Sequence, residues 1–476
     1  MRRAGGTLGR WLILGLLALP ASGRGAESLV PPSMRQTPPV ADPSPAAMLD
    51  LAAFVERAEQ HDPKLAAAFA GEDAGRAQTG RARSGFLPRV EASGSRVRQR
   101  TRLADQALPE RVEREWKLTL TQPLFDWDTW SNVRLAEAAQ IRAAMQTGQA
   151  RQAVRLKAVQ TYFAALQARD ELWLAQGQQQ TVQQQHEVTR MRRMGGEASL
   201  IDLRDVEVEV ERSGNAVARA QSTFRLRMRE LEDMIGQTIG EIAGLPAAQP
   251  VPEVYPHEVR RWLEQTEASN PDIALARLEH RIAGLESSRA MGDYLPQASL
   301  TASTGKQSSS VQLSGRAVDV NSVGISVRIP LFSGLDSMYR QRQNRANEDK
   351  ALADLDAVRR DVLALVQESH LLARARRDEI GDLERQAAAI QVALAATRVG
   401  RQVGDRTEVN VLAYQNALWA ARRDLLRARY EVLTHGVRLK ALTGSLEMSD
   451  VQVINAMLSR EEGLRPPQTE ALAPLQ

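Results

Sequence analysis

The side chains that most often perform chemistry in proteins are sparse and scattered in this sequence. No His-Glu-x-x-His zinc motif, no phosphate-binding loop of the form Gly-x-x-x-x-Gly-Lys-Ser/Thr and no Gly-x-Ser-x-Gly nucleophile turn occurs. The absence of cysteine excludes disulfides and thiol catalysis. The six histidines stand singly: His61, His186, His257, His280, His370 and His435. The sequence therefore predicts neither an enzyme nor a metal or cofactor site.

An internal repeat organises the chain instead. Five short motifs recur at an offset of 207 or 208 residues: Asp62-Pro63 and Asn270-Pro271, Leu87-Pro88 and Leu295-Pro296, Pro123-Leu124-Phe125 and Pro330-Leu331-Phe332, Gly196 and Gly404, and Gly236 and Gly444. Because these motifs keep their order and spacing, the chain consists of two copies of one unit. We place the first repeat at 48–246 and the second at 257–446.

The two ends of the chain differ from the repeats in composition. Residues 1–23 combine three arginines with a short apolar stretch and a small-residue ending, which predicts a cleaved signal peptide; an uncleaved anchor is the alternative. Residues 24–47 carry six prolines and are interpreted as an extended linker. Pro466-Pro467 leads to a similar interpretation of 450–476 as a disordered tail.

Composition and periodicity favour long helices in both repeats. Aromatic residues make up only 4% of the chain, and charges of both signs are interspersed at a net charge of +4, so we expect no nucleic-acid partner. Thr129–Arg193 lacks proline and repeats apolar residues at three- and four-residue steps, which predicts a helix about 97 Å long. The glutamine-rich stretch Gln176–Gln185 is interpreted as its wet face; a polar channel lining is the alternative. Further helices are predicted over 48–60, 63–84, 199–235, 271–292, 333–399 and 407–442.

Between the short and long helices, the three- and four-residue period gives way to a two-residue alternation that is typical of strands. Apolar and small polar residues alternate around 90–94 and 116–121, and strands are also predicted near 295–304 and 318–331. Each predicted strand has about the 9–11 residues that cross a bilayer at a tilt. Four strands cannot close into a barrel, which takes roughly eight, and an open sheet edge is intolerable in lipid. The chain is therefore predicted to oligomerise; a soluble sheet capped by helices is the alternative.

Motifs in both repeats resemble those of the TolC family of trimeric outer membrane channels. They are Val403-Gly404-Asp405-Arg406-Thr407-Glu408-Val409-Asn410-Val411-Leu412, Ala428-Arg429-Tyr430, the two Leu-Pro pairs and Gln122-Pro123-Leu124-Phe125. The resemblance covers about 48–446 and implies an α+β membrane protein. Each tandem repeat supplies two transmembrane strands and long coiled-coil-like helices. Three protomers form a twelve-stranded β-barrel continuous with a periplasmic α-helical tunnel.

The same resemblance implies a passive exit duct in the bacterial outer membrane. The implied partners are two further copies of the chain, a periplasmic adaptor protein, an inner membrane ABC or proton-driven transporter, and outer membrane lipid. Because the chain has no cysteine for lipid attachment, we expect type I secretion of a protein such as a haemolysin-like repeats-in-toxin toxin. A component of a drug or small-molecule efflux pump and a structural periplasmic coiled-coil protein are the alternatives.

Several roles at the helical hairpins follow from the resemblance. The turns at Gly195-Gly196 and Gly404-Asp405 are expected to contact the adaptor. In the family, bonds between hairpins hold the tunnel shut. The matching positions here are Asp202 on the first hairpin with Arg401 and Arg406 on the second, which can form charge-assisted bonds. We call this predicted arrangement the ionic latch.

Two further groups of residues receive predicted roles. The family's acidic pore-lining positions at the constriction correspond here to Asn410 and Ala413, so we expect only weak cation selectivity. Tryptophan favours membrane interfaces, and four aromatic residues crowd one short segment, which predicts an interfacial girdle where the barrel meets the tunnel. These aromatics are Trp116, Phe125, Trp127 and Trp130.

Overall fold

The computed structural model describes residues 49–100, 102–103, 106–107, 110–246, 258–309 and 316–458. The predicted signal peptide at 1–23 and the predicted linker at 24–47 lie outside the described residues. The described chain forms nine α-helices and six β-strands in two repeats of the same plan.

The first repeat alternates short helices, strands and long helices. In chain order its elements are α1 (Leu51–His61), α2 (Pro63–Arg83), β1 (Arg89–Gln99), β2 (Arg102–Leu103), β3 (Gln106–Ala107), β4 (Arg111–Phe125), α3 (Trp127–Met194) and α4 (Leu200–Ile235). The second repeat contains α5 (Val259–Ser269), α6 (Pro271–Ala290), β5 (Gln297–Ser309), β6 (Ala317–Arg328), α7 (Asp336–Gln402) and α8 (Glu408–Leu442). A final helix, α9 (Met448–Met457), follows the second repeat.

Local side chains explain where the helices begin. The carboxylate of Asp62 accepts hydrogen bonds from the first N–H groups of α2, and Pro63 occupies the first helical position, where it needs no donor. Asn270 and Pro271 do the same for α6. Asp126 caps α3, whose 68 residues make it about 100 Å long.

The structure corrects two of the predicted elements. The predicted disordered tail is wrong over its first residues, because α9 forms there and its Val451 is fully buried. Residues from 459 onward lie outside the described residues. The helix α5 is absent from the sequence prediction, although shifting α1 by the repeat offset of 208 residues gives its bounds. The other predicted helices and strands lie within a few residues of their expected positions, apart from β4, which begins earlier, at Arg111.

One antiparallel sheet joins the two repeats, in the strand order β1-β4-β5-β6. Over the part of the sheet nearer the helices, its register separates the side chains into an apolar face and a polar face. Farther from the helices, Lys306 and Asp319 lie on the first face, and Val318 and Val320 lie on the second. The apolar face carries Val90, Ala92, Trp116, Leu118, Leu120, Leu300, Ala302, Val323 and Ile325. The polar face carries Glu91, Ser93, Lys117, Thr119, Thr121, Thr301, Ser303, Ser322 and Gly324. Large side chains of the apolar face are solvent-exposed in the protomer; Val323, for example, is 78% exposed.

The main core gathers helices from both repeats. Its large buried members are Leu51, Phe54, Tyr162, Phe163, Leu166, Leu231, Tyr430, Leu433, Leu446 and Val451. No described helix is both long enough and apolar enough to cross a membrane.

A buried polar network fixes the two repeats to each other beside this core. The carboxylate of Asp170 on α3 accepts two hydrogen bonds from Arg169, at 3.1 and 2.9 Å, and one from the Tyr430 hydroxyl on α8, at 2.6 Å. Arg169 also donates to the backbone oxygen of Ile242, in the segment that follows α4. Burial raises the pKa of Asp170, and attraction to Arg169 opposes this shift. The repeats are therefore joined by directional bonds as well as by apolar packing.

Candidate functional site at the hairpin tips and the strand-helix junction

The two long helical hairpins end in the same type of turn. Gly196 and Gly404 both have φ of +82°, where only glycine is unstrained. After Gly196, the N–H of Glu197 donates to the Arg192 carbonyl at 2.8 Å; after Gly404, the Asp405 N–H donates to the Gly400 carbonyl at 2.9 Å. These bonds define Schellman motifs, which satisfy the last carbonyl groups of α3 and α7.

The two glycines of the first turn differ in how much the backbone depends on them. Gly195 has φ of −79°, so its backbone is open to any residue. A Cβ added at Gly196 or at Gly404 would meet no atom within 4 Å, so the tips are open to an approaching partner. The predicted contact with an adaptor is thus sterically accessible at both turns.

The return helices both begin with a capping box. On α4, the Ser199 hydroxyl accepts the Asp202 N–H at 3.0 Å, and the Asp202 carboxylate accepts the Ser199 N–H at 2.9 Å. On α8, Thr407 and Asn410 form the same reciprocal pair. Asp202 and Asn410, which we predicted to be a latch and a pore-lining residue, therefore share one structural role 208 residues apart. The Ser-x-x-Asp and Thr-x-x-Asn spacings signal this role in the sequence.

Within the described protomer, the members of the predicted ionic latch do not contact one another. Arg401 on α7 instead forms an ion pair with Glu408 on α8, with 2.5 Å between Nη1 and Oε2; the side chains are only 14% and 7% exposed. The other carboxylate oxygen of Glu408 accepts a hydrogen bond from Gln185 on α3. Glu408 thereby connects three helices close to the second tip, a role that the sequence prediction missed.

Arg406 is the more available cation of the two predicted arginines. Its side chain is exposed, and its Nε lies 3.8 Å from the Asp405 carboxylate, a weak contact. Asp202 is half-buried on α4. Among the described residues, its carboxylate accepts hydrogen bonds from Ser199 only. Ala413 is exposed on α8, one turn beyond Asn410.

Further polar bridges connect the first hairpin to the second. The side-chain amide of Asn416 on α8 accepts a hydrogen bond from Gln178 on α3 at 2.8 Å and donates one to Glu209 on α4 at 3.0 Å. Glu209 is buried. Gln178 and Gln185 both belong to the stretch that we interpreted as a wet helix face, so part of that stretch forms contacts between the helices.

Three of the four predicted girdle aromatics, Phe125, Trp127 and Trp130, lie at the junction of the sheet and the helices. The fourth, Trp116, lies nine residues before Phe125 on β4, about 30 Å along the strand, so the structure does not place it at the junction. The Trp127 and Trp130 rings pack against each other with their centroids 4.8 Å apart. The Trp127 indole N–H donates to the Ser288 carbonyl on α6 at 3.3 Å, so this ring also serves packing between the repeats. Trp116, Phe125 and Trp130 are 42–50% exposed.

This arrangement matches a known family along most of the chain. The model of the outer membrane efflux protein family matches residues 54–237 and 262–445, one match in each repeat. The alkaline protease secretion protein AprF of Pseudomonas aeruginosa is 27% identical over 411 residues, which cover 83% of this chain and 85% of AprF. The proteases secretion protein PrtF of Dickeya chrysanthemi is 27% identical over 417 residues, which cover 84% of this chain and 89% of PrtF.

The fold is also found among solved outer membrane proteins. The crystal structure of VceC from Vibrio cholerae superimposes with a TM-score of 0.72 at 19% identity, over 83% of this chain and 97% of VceC. The predicted α+β fold class of the trimeric channel-tunnel proteins is confirmed. Because the family model matches both repeats, the chain belongs to the outer membrane efflux protein family, whose members are outer membrane channels rather than enzymes.

Proposed function

We propose that three copies of this chain form the outer membrane exit duct of an exporter that secretes a polypeptide. The four-stranded sheet carries this proposal. Within the described chain, β1 and β6 each pair with one neighbouring strand only, so both edges of the sheet present unpaired backbone groups. An exposed apolar face favours lipid, whereas open edges are excluded from lipid unless other strands complete them. Closure with further copies satisfies both requirements.

The cargo class is supported by the relatives. AprF and PrtF are both named for the secretion of proteases, and each similarity extends over more than four fifths of both chains. A polypeptide cargo is therefore our proposal, with a periplasmic adaptor and an inner membrane transporter as partners; a repeats-in-toxin protein remains the predicted example. Small-molecule efflux is the second candidate, because the matching family model describes efflux proteins.

A gene deletion in the native host separates the two cargo classes. We expect the deletion strain to lose specific polypeptides from its culture medium, to regain them on complementation, and to keep its tolerance of small toxic compounds. Unchanged secreted polypeptides together with lowered tolerance would favour efflux instead.

Assembly is tested on protein purified from the outer membrane. Light scattering in detergent should give three times the protomer mass of 52.5 kDa, less any removed signal peptide, and heating should release monomers. Material that conducts in bilayers while remaining monomeric would contradict the proposed closure.

A further inference from the structure

A cleft of about 550 Å³ lies where α2, α3 and α6 approach the sheet. This is within the range of roughly 300–1,000 Å³ that is usual for sites of small ligands. Among its described lining residues, four are arginines and only Glu286 is acidic. The four arginines are Arg81, Arg89, Arg142 and Arg289. We call this feature the arginine cleft.

Two of these arginines already have acidic partners. Arg289 donates through Nε to the Asp128 carboxylate at 2.6 Å. The Nη1 atom of Arg142 lies 3.5 Å from the Oε1 atom of Glu279 on α6.

Arg81 and Arg89 are exposed and form no ion pair with any described residue. Because a guanidinium stays charged at every physiological pH, the cleft of the described protomer presents two positive charges without an ion-pair partner, beside the one carboxylate of Glu286.

The arginine cleft opens on the polar side of the protomer. Arg89 pairs in register with Thr121, and both lie on the polar face of the sheet. On α3, each residue turns the helix by roughly 100°, which places the cleft residue Asn132 on the side opposite Trp127 and Trp130. If the apolar face contacts lipid, as in the proposed trimer, the cleft faces the conduit.

We propose that the arginine cleft is an anion-binding site in the conduit wall that takes the carboxylates of acidic segments of the exported polypeptide. This inference rests on the proposed function. Guanidinium groups bind carboxylates through paired hydrogen bonds, and three symmetry-related clefts would form a ring around the path. Exposed ion pairs are individually weak, so a passing segment binds and releases without being trapped.

Planar-bilayer recordings with a deca-glutamate peptide test the site. We expect the peptide to block the wild-type channel transiently and to bind the Arg81→Gln/Arg89→Gln variant about tenfold more weakly, since each exposed pair changes binding a few-fold. The matched control is Arg76→Gln/Arg83→Gln, which removes two positive charges from positions of α2 outside the cleft lining. The control should keep the wild-type block.

Equal block of the wild-type and the cleft variant, or stronger block by deca-lysine than by deca-glutamate, would overturn the inference. Anisotropy of a fluorescent deca-glutamate on detergent-solubilised trimers gives the same comparison without conduction. The proposed function fails separately: a deletion strain that still exports all its polypeptides contradicts it, even if the cleft binds the peptide.

Discussion

Asp202 and Asn410 occupy equivalent positions in the two repeats. Comparing them separates the capping role of this side chain from the role of its charge. Both accept hydrogen bonds within a capping box, but only Asp202 carries a charge. Because Arg401 is engaged by Glu408, Arg406 is the arginine left to form the ionic latch. The second repeat thus supplies a natural model for a variant that keeps the cap and loses the charge.

We expect Asp202→Asn to raise the open probability of the channel a few-fold, because it removes the charge that the predicted ionic latch requires in each protomer while the amide preserves the cap. High salt should raise the open probability of the wild-type channel in the same way. Ser199→Ala is the control, since it removes the hydroxyl of the capping box and keeps the carboxylate. Single-channel recording measures both variants. Equal open probability in Asp202→Asn and the wild type would remove Asp202 from the latch.

Glu408 is the residue at the second tip whose loss should matter most to stability. Glu408→Gln leaves Arg401 buried without its counter-ion, at a cost of about 3–5 kcal/mol. Hydrogen exchange should therefore accelerate at the end of α7 and the start of α8. Asp405→Asn removes the same charge from an exposed site and should leave exchange unchanged. If Glu408→Gln and Asp405→Asn show the same exchange rates, the ion pair between Arg401 and Glu408 does not stabilise the second tip.

At the scale of residues, the sequence indicated that the charged hairpin tips are important, but not which side chains pair there. The family resemblance pointed to the charged residues of the tips, and the Ser-x-x-Asp spacing was available to predict the cap. The pairing of Arg401 with Glu408 depends on the turn folding α8 back along α7, and the contact of Gln185 with Glu408 depends on how α3 packs beside them. Neither contact follows from local spacing.

At the scale of elements, the two Schellman turns allow adaptor contact to be tested apart from turn strain. Gly195→Leu adds bulk at a tip whose backbone tolerates any residue, so we expect weaker adaptor binding with unchanged thermal stability. Gly404→Ala adds little bulk but forces an L-residue into positive φ, which costs about 1–2 kcal/mol. Adaptor pull-down and thermal unfolding on both variants separate the effects. If Gly195→Leu binds the adaptor as strongly as the wild type does, the adaptor does not contact the first hairpin tip.

Elements with strong periodicity were predictable, whereas those that depend on tertiary packing were not. The long helices follow from uninterrupted three- and four-residue periods, and the strands follow from alternation. The helix α9 has only 10 residues and lies close to a proline-rich tail, so composition obscured it. Its order depends on burial of Val451 and on the hydrogen bond from the Leu51 N–H to Asn455.

For the whole molecule, the two faces of the sheet predict opposite tolerance to charge. Val323→Lys places an ammonium near the middle of the apolar face, at about 2–4 kcal/mol per copy in lipid, so few trimers should reach the outer membrane. Ser322→Lys changes the adjacent residue on the polar face and should assemble normally. Trimer yield in membrane fractions measures both. Similar yields would mean that lipid does not contact the apolar face.

Both ends of the described chain contribute to the main core, and this bears on when that core can be completed. The hydrogen bond between Leu51 and Asn455 joins residues 404 positions apart, and Val451 packs into the same core as Leu51. A chain synthesised from its amino terminus holds α1 without its final partner until α9 has been made. A truncated or stalled chain therefore lacks the core contacts that α9 supplies, so we expect completion of synthesis to precede assembly of the three copies.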